Sequence, residues 1–98
     1  MNLQQIPEKY RRNIEEAAAI LKKEGCTDIF LFGSLANGKI RGDSDIDIGI
    51  KGLPAEKFIP VYSKLYGAFD TRVDLVDFDY EHGMFDILQE LDEVIRIG

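Results

Sequence analysis

Apolar and polar residues follow two different periods along this chain, and these periods predict alternating helices and strands. Over residues 7–24, apolar positions recur at helical spacing with charged residues opposite, which predicts an amphipathic helix that stops at Gly25. Residues 29–32 form a short apolar run that ends at Gly33 and predicts a buried strand. Over residues 45–50, isoleucine occupies every second position, so we predict a strand with one face in the core.

The middle of the chain predicts a further helix and a further strand. Residues 54–60 are bracketed by prolines and predict a short turn or broken helix. Helical spacing of apolar residues then begins at Pro60 and runs to Phe69, with the proline in the first turn, where it is tolerated. Residues 72–78 are apolar on both faces except for Asp74 and Asp77, so we expect a central strand.

The end of the chain completes the alternation. Residues 84–91 predict a short helix with Phe85, Leu88 and Leu91 on its apolar face, and residues 94–97 predict a last strand at the edge of the sheet. No repeat or linker interrupts the pattern. The sequence therefore predicts one α/β domain over residues 1–98.

Size and charge narrow the classes of partner. A chain of 98 residues with 45% hydrophobic residues can build one core but has little spare surface, so a partner or a homo-oligomer is plausible. The net charge of −6 argues against long nucleic acid, since binding to a phosphate backbone needs clustered Lys and Arg. A free nucleotide that carries its own divalent cations remains compatible with this acidity.

The sequence also bears on the compartment. Cys26 is the single cysteine and cannot form an internal disulfide, so we expect a buried structural thiol. The N-terminal residues lack the charged and apolar regions of a signal peptide, and no apolar run is long enough to span a membrane. We therefore expect a cytoplasmic protein.

Three aspartates carry the candidate chemistry. Asp45 and Asp47 are two positions apart on a predicted strand, so their side chains project from the same face. Two carboxylates at such a short distance resist ionising together unless a cation neutralises them. With Asp74 from a later strand they predict a site for one or two Mg²⁺ ions, which take oxygen ligands and support in-line displacement at phosphorus.

A possible phosphate-binding turn precedes the acids. Gly33 and Ser34 follow a strand and precede a predicted helix, so the backbone can approach a phosphate closely and the hydroxyl can donate to it. Ser44 is a second candidate hydroxyl donor. Lys39 and Arg41 lie in the intervening loop, where they would either contact a triphosphate or merely solubilise the loop.

Two familiar motifs overlap this stretch and both fail. Residues 33–39 match most of a P-loop, but Ile40 replaces the Ser or Thr that would hold Mg²⁺. Residues 43–47 resemble the start of a calcium loop, but Ile48 occupies the glycine position and Pro54 the position of the bidentate glutamate. The aspartates also have a purely structural interpretation, as residues of turns and strand edges. For His82, the single histidine, we expect a structural role at a loop or helix start.

The complete pattern resembles a known family. Its parts are Phe32-Gly33-Ser34, Gly38, the run Asp43-Ser44-Asp45-Ile46-Asp47 and the later Val73-Asp74-Leu75-Val76. It closely resembles the minimal nucleotidyltransferases of the polymerase-β superfamily, and the resemblance covers most of the chain. It implies a small mixed sheet flanked by helices, in the order helix-strand repeated four times.

The resemblance also implies roles for particular residues. Asp45, Asp47 and Asp74 would be the catalytic, metal-binding triad, with Asp74 orienting or deprotonating the attacking hydroxyl. Gly33 and Ser34 would hold the triphosphate of ATP. Many relatives carry basic or aromatic residues directly after this pair, and this chain has Leu35 and Asn37 there. Phosphate binding would then depend on Lys39, Arg41 or backbone donors.

Similar small proteins are typically antitoxins paired with a helical toxin of the HEPN type, which they silence by transferring AMP from ATP to a tyrosine hydroxyl. The resemblance therefore implies an Mg²⁺-dependent protein adenylyltransferase. Two alternatives stay open: an antitoxin that acts by binding alone, and nucleotidyl transfer to a small molecule.

Overall fold

A computed structural model describes residues 3–40 and 44–98, and within them helices and strands alternate along the chain. The elements are α1 (Glu8–Glu24), β1 (Asp28–Phe32), α2 (Ser34–Asn37), β2 (Ile46–Lys51), α3 (Phe58–Tyr66), β3 (Val73–Asp77), α4 (His82–Glu90) and β4 (Val94–Arg96), with 3-10 turns at Leu3–Gln5 and Ala55–Lys57. This order confirms the predicted helix-strand alternation.

The strands form one mixed sheet in the order β3-β2-β1-β4. Strand β1 pairs antiparallel with both β2 and β4, whereas β2 and β3 run parallel. The larger core lies on one face, where the β2 isoleucines pack with apolar residues of α1 and α3. The sheet thus confirms the predicted small mixed α/β architecture and leaves its second face for a smaller cluster and the site.

Helix α1 forms because its apolar residues share one face and its ends carry suitable stop signals. Tyr10, Ile14, Ala17 and Leu21 are buried, which is the i, i+4, i+7 pattern of a single stripe. Pro7 precedes the helix, where its missing N–H costs nothing. Gly25 ends the helix in the left-handed conformation at φ 111°, as predicted.

The prediction of a central position for residues 72–78 is wrong, because β3 lies at the edge of the sheet beside β2 alone. Its apolar pattern has another cause. Leu75 faces the larger core and Val76 packs against the smaller cluster, so side chains cover both faces while one edge has no strand neighbour among the described residues. The predicted edge position of the last strand is confirmed.

Two helices differ in detail from their predictions. Helix α3 begins at Phe58, directly after the 3-10 turn, so Pro60 lies in the first turn and not at its start. Helix α4 begins at His82, as expected for a helix-start residue. Leu91 does not join the core: it lies just past the end of α4 and is 60% exposed.

A smaller aromatic cluster covers part of the second face of the sheet. It is formed by Phe30, Phe32, Phe78 and Phe85, with ring centroids 4.9–5.9 Å apart. Gly49 of β2 lies directly under Phe78, and a Cβ at that position would overlap the ring. Glycine is therefore required here by space, since the ring occupies the volume that any other side chain would need.

The thiol of Cys26 is buried as expected, and burial raises its pKa to about 11. In the described part of the chain, no helix is both long and apolar enough to cross a membrane.

Gly49→Ala is expected to destabilise the protein by about 1–3 kcal/mol, because Phe78 has to move to admit the methyl group. Gly67→Ala is the matched control, since a Cβ at that position would meet nothing within 4 Å, and its effect should stay within about 1 kcal/mol. Urea denaturation of the two variants measures this difference. Equal unfolding free energies would contradict the packing described for Gly49.

Candidate active site

The register of the parallel strands places two of the predicted aspartates side by side. Asp47 of β2 pairs with Asp74 of β3, on the face opposite the isoleucine core. Asp45 comes just before β2 and lies near enough to Asp47 to act on its ionisation. The structure thus brings the three acids to one end of the sheet, at the start of β2 and β3.

The carboxyl group of Asp47 has a strongly perturbed pKa. Burial, together with the negative charges of Asp74 and Asp45, raises its pKa to about 6, and Arg72 partly offsets the effect. A group that has lost water and faces two like charges is destabilised in its ionised form. A bound cation would relieve this repulsion, and this is the electrostatic reason to regard the cluster as a candidate metal site.

Gly33 closes one side of the cluster. Because Phe32 of β1 pairs with Asp47, the next residue along the chain lies against the Asp47 side chain. Gly33 has φ 76°, and a Cβ there would overlap Oδ2 of Asp47. Both the backbone conformation and the space exclude other residues. Ser34 then begins α2, so the predicted strand, Gly-Ser turn and helix are confirmed.

Asp74 is held by two residues that the sequence interpretation missed. Nε of Arg72 donates to Oδ1 of Asp74 at 3.2 Å, and the hydroxyl of Tyr62 donates to the same oxygen at 3.4 Å. The contact of Arg72 could have been predicted, because residues two positions apart in extended chain project to the same side. Tyr62 comes from α3, and only the packing of that helix beside β3 reveals its contact.

A cleft of about 690 Å³ lies beside Asp45. The start of α1 forms one wall and the chain entering β3 forms the other; the lining residues include Arg12, Ser44, Asp45 and Arg72. Ser44 is buried beside Asp45, and no buried side-chain oxygen or nitrogen in the described residues lacks a partner. A cleft of this volume is in the range that holds a small ligand or a short segment of another chain.

The structure does not place Lys39, one of the two basic residues proposed to contact a triphosphate, beside the acids. Lys39 is exposed beyond the end of α2, and its backbone N–H donates to Oδ1 of Asn37 at 3.0 Å. Arg41 lies outside the described residues. Within the described residues, Arg72 is a basic residue that does contact one of the acids, Asp74.

The donor set fits magnesium by its chemistry. Asp45, Asp47 and Asp74 offer only carboxylate oxygens, the ligands that this hard cation takes, and Gly33 leaves room for the Asp47 carboxylate. Among the described residues, however, no three acidic, His or Cys side chains already converge as a ready set of metal ligands. The hydrogen bonds of Asp74 to Arg72 and Tyr62 direct one of its oxygens elsewhere.

Comparison with protein families identifies the class. The model of the "Polymerase beta, Nucleotidyltransferase" family matches residues 15–95. Since the match covers most of the chain, this protein belongs to the polymerase beta nucleotidyltransferase family. A comparison with curated protein sequences finds no significant match.

Solved structures with the same fold narrow the likeness to minimal nucleotidyltransferases and antitoxins. A protein described as a minimal nucleotidyltransferase is 29% identical, with a TM-score of 0.66 over 97% of this chain and 95% of that one. A toxin–antitoxin complex with AMP-PNP is 25% identical, with a TM-score of 0.65 over 92% of this chain and 72% of that one.

A third structure contains a tri-AMPylated Shewanella oneidensis HEPN toxin in complex with its MNT antitoxin. It is 24% identical to this chain, with a TM-score of 0.63 over 88% of this chain and 69% of that one. At this identity the likeness shows a common fold. The resemblance inferred from the sequence motif is therefore confirmed at the level of family and fold.

The raised pKa of Asp47 predicts how stability depends on pH in the absence of divalent cations. An unfolded aspartate loses its proton near pH 3.8, whereas folded Asp47 keeps it to about pH 6. The folded state binds more protons in this window, so Asp47 should reduce the stability as the pH rises through it. Asp47→Asn should remove this loss, which is on the order of 1 kcal/mol after allowance for partial exposure.

Urea denaturation with a chelator, at pH values from about 4 to about 7, tests this dependence. Asp86→Asn, which alters an exposed aspartate of α4, is the control. A difference between wild type and Asp47→Asn that stays constant over the whole range would contradict the proposed repulsion.

Proposed function

We propose that this protein is an Mg²⁺-dependent nucleotidyltransferase that transfers AMP from ATP to a tyrosine hydroxyl of a HEPN-type toxin, and so acts as its antitoxin. The observation that carries the proposal is the pairing of Asp47 with Asp74 beside Gly33, within a chain of the polymerase beta nucleotidyltransferase family. The acids are adjacent and mutually repelling, an arrangement suited to cations that accompany a triphosphate.

Each residue has a distinct task in this proposal. Asp45, Asp47 and Asp74 would hold the magnesium ions. When bound, these ions stabilise negative charge on the attacking and leaving oxygens of an in-line displacement. Gly33 and Ser34 bind the triphosphate, since the glycine lets the backbone approach it and the serine hydroxyl donates to it.

Asp74 orients the acceptor hydroxyl and takes its proton. The acceptor oxygen attacks the α-phosphorus of ATP, the bond to the β-phosphate breaks, and pyrophosphate leaves. Arg72 contacts Asp74 at 3.2 Å, and the two nearby carboxylates Asp74 and Asp45 raise the pKa of its guanidinium, so it stays charged. It supplies positive charge at the side of the site where the acceptor enters.

The acceptor is proposed to come from a partner protein. The cleft beside Asp45 is about 690 Å³ and has both acidic and basic side chains in its walls, which suits a polar peptide segment carrying a tyrosine. Support for the partner class comes from similar solved complexes, of which one holds AMP-PNP and another a tri-AMPylated HEPN toxin.

The second candidate is an antitoxin that neutralises its toxin by binding alone. One observation favours this candidate: among the described residues, no three acidic, His or Cys side chains converge as a set of metal ligands. The two candidates differ in one measurable way: only the enzyme leaves a covalent AMP on the partner.

Asp45→Asn is expected to lower AMP transfer to the toxin at least about 100-fold, because loss of a ligand weakens metal stabilisation worth several kcal/mol. The purified chain is mixed with the toxin, ATP and Mg²⁺, and the mass of the toxin is measured. Asp86→Asn, on exposed α4, should transfer AMP at the wild-type rate.

The same variants are then expressed with the toxin in cells, and growth is recorded. Wild type and Asp86→Asn should protect, and Asp45→Asn should not. Protection by wild type while the toxin stays unmodified would overturn the enzymatic proposal and favour the binding-only antitoxin, as would equal protection by Asp45→Asn.

A further inference from the structure

A tyrosine of the chain itself contacts Asp74, the aspartate that is proposed to take the proton of the acceptor hydroxyl. The hydroxyl of Tyr62 donates to Oδ1 of Asp74 at 3.4 Å. A hydroxyl that transfers its proton to a general base has to lie within hydrogen-bond reach of it, and such contacts are commonly longer before substrates bind. Tyr62 thus occupies the position relative to Asp74 that an acceptor tyrosine requires.

The surroundings of Tyr62 keep its hydroxyl near this position. Its ring lies between those of Phe58 and Tyr66 on α3, with centroids 5.9 Å and 6.2 Å away, and packs against the larger core. Because β3 is the edge strand, α3 lies close enough for Tyr62 to reach Asp74 around that edge. The ring is half-buried, so this placement follows from packing and is not that of a freely moving surface side chain.

We propose that Tyr62 is an internal acceptor and that the protein adenylylates itself there. This inference rests on the proposed function, since it uses the same ATP and the same acids. The Tyr62 oxygen attacks the α-phosphorus of ATP, the bond between that phosphorus and the bridging oxygen breaks, and pyrophosphate leaves. The phenolic proton passes to Asp74, and the product is a phosphodiester that joins Tyr62 to AMP.

The modification would regulate the site. An adenylyl group on Tyr62 lies against Asp74 and excludes an incoming tyrosine from it, so a modified molecule no longer transfers AMP to its partner. Unmodified Tyr62 competes with that tyrosine for the same carboxylate oxygen. Partner and self-modification are therefore alternative outcomes of one site.

The test uses the full chain with ATP and Mg²⁺ and without the toxin. Intact mass should increase by one adenylyl group, and fragmentation should locate it on Tyr62. Tyr66→Phe is the matched control, because Tyr66 lies one turn further along α3 and is 59% exposed. It should keep the modification, whereas Tyr62→Phe and Asp45→Asn should lose it.

The exposure of the other tyrosines distinguishes directed from undirected modification. Tyr80 is 80% exposed, so undirected labelling would favour it and Tyr66 over half-buried Tyr62. Directed attack should give at least about tenfold more adenylyl on Tyr62 than on either, because orientation at the reacting centre dominates such rates. Adenylyl found mainly on Tyr66 or Tyr80 would overturn the proposal.

A parallel reaction with the toxin separates this inference from the function on which it rests. If wild type modifies the toxin but never Tyr62, the internal acceptor is refuted and the proposed function stands. If neither is modified, both are refuted. A far-UV circular dichroism spectrum and a urea midpoint that match those of wild type show that Tyr62→Phe is folded, so its lack of self-modification cannot be attributed to misfolding.

Discussion

The parallel pairing of β2 with β3 is the constraint on which the rest of the site depends. This register sets Asp47 against Asp74, with Asp45 just outside the strand, so that three carboxylates share one end of a small sheet. The isoleucines of β2 are buried in the larger core, and because side chains alternate along a strand, Asp47 projects from the opposite face. A slip of one residue would move the acids into that core, where uncompensated charge is costly.

The protein balances this concentration of negative charge in part with its own residues. Arg72 lies on the acids' side of β3 and reduces the repulsion felt by Asp47, whose pKa is nevertheless raised to about 6. Hydrogen bonds from Arg72 and Tyr62 also hold the carboxylate of Asp74 in place.

Local patterns were enough to predict the alternating elements and the Gly33 turn, because each depends on spacing along one segment. The edge position of β3 was not predictable in this way, since an apolar pattern on both faces reports what covers the faces and not which strands pair at the edges. The contact of Tyr62 with Asp74 depends on how α3 packs against β3, and no local period encodes it.

The proposed metal site can be tested by a crystal structure of the chain with Mn²⁺ and an ATP analogue whose α,β-bridge is methylene, which blocks transfer. We expect anomalous peaks at about 2.1 Å from the carboxylates of Asp45 and Asp47, with the phosphates against Gly33 and Ser34. A nucleotide bound without metal at these carboxylates, or bound elsewhere on the sheet, would contradict this expectation.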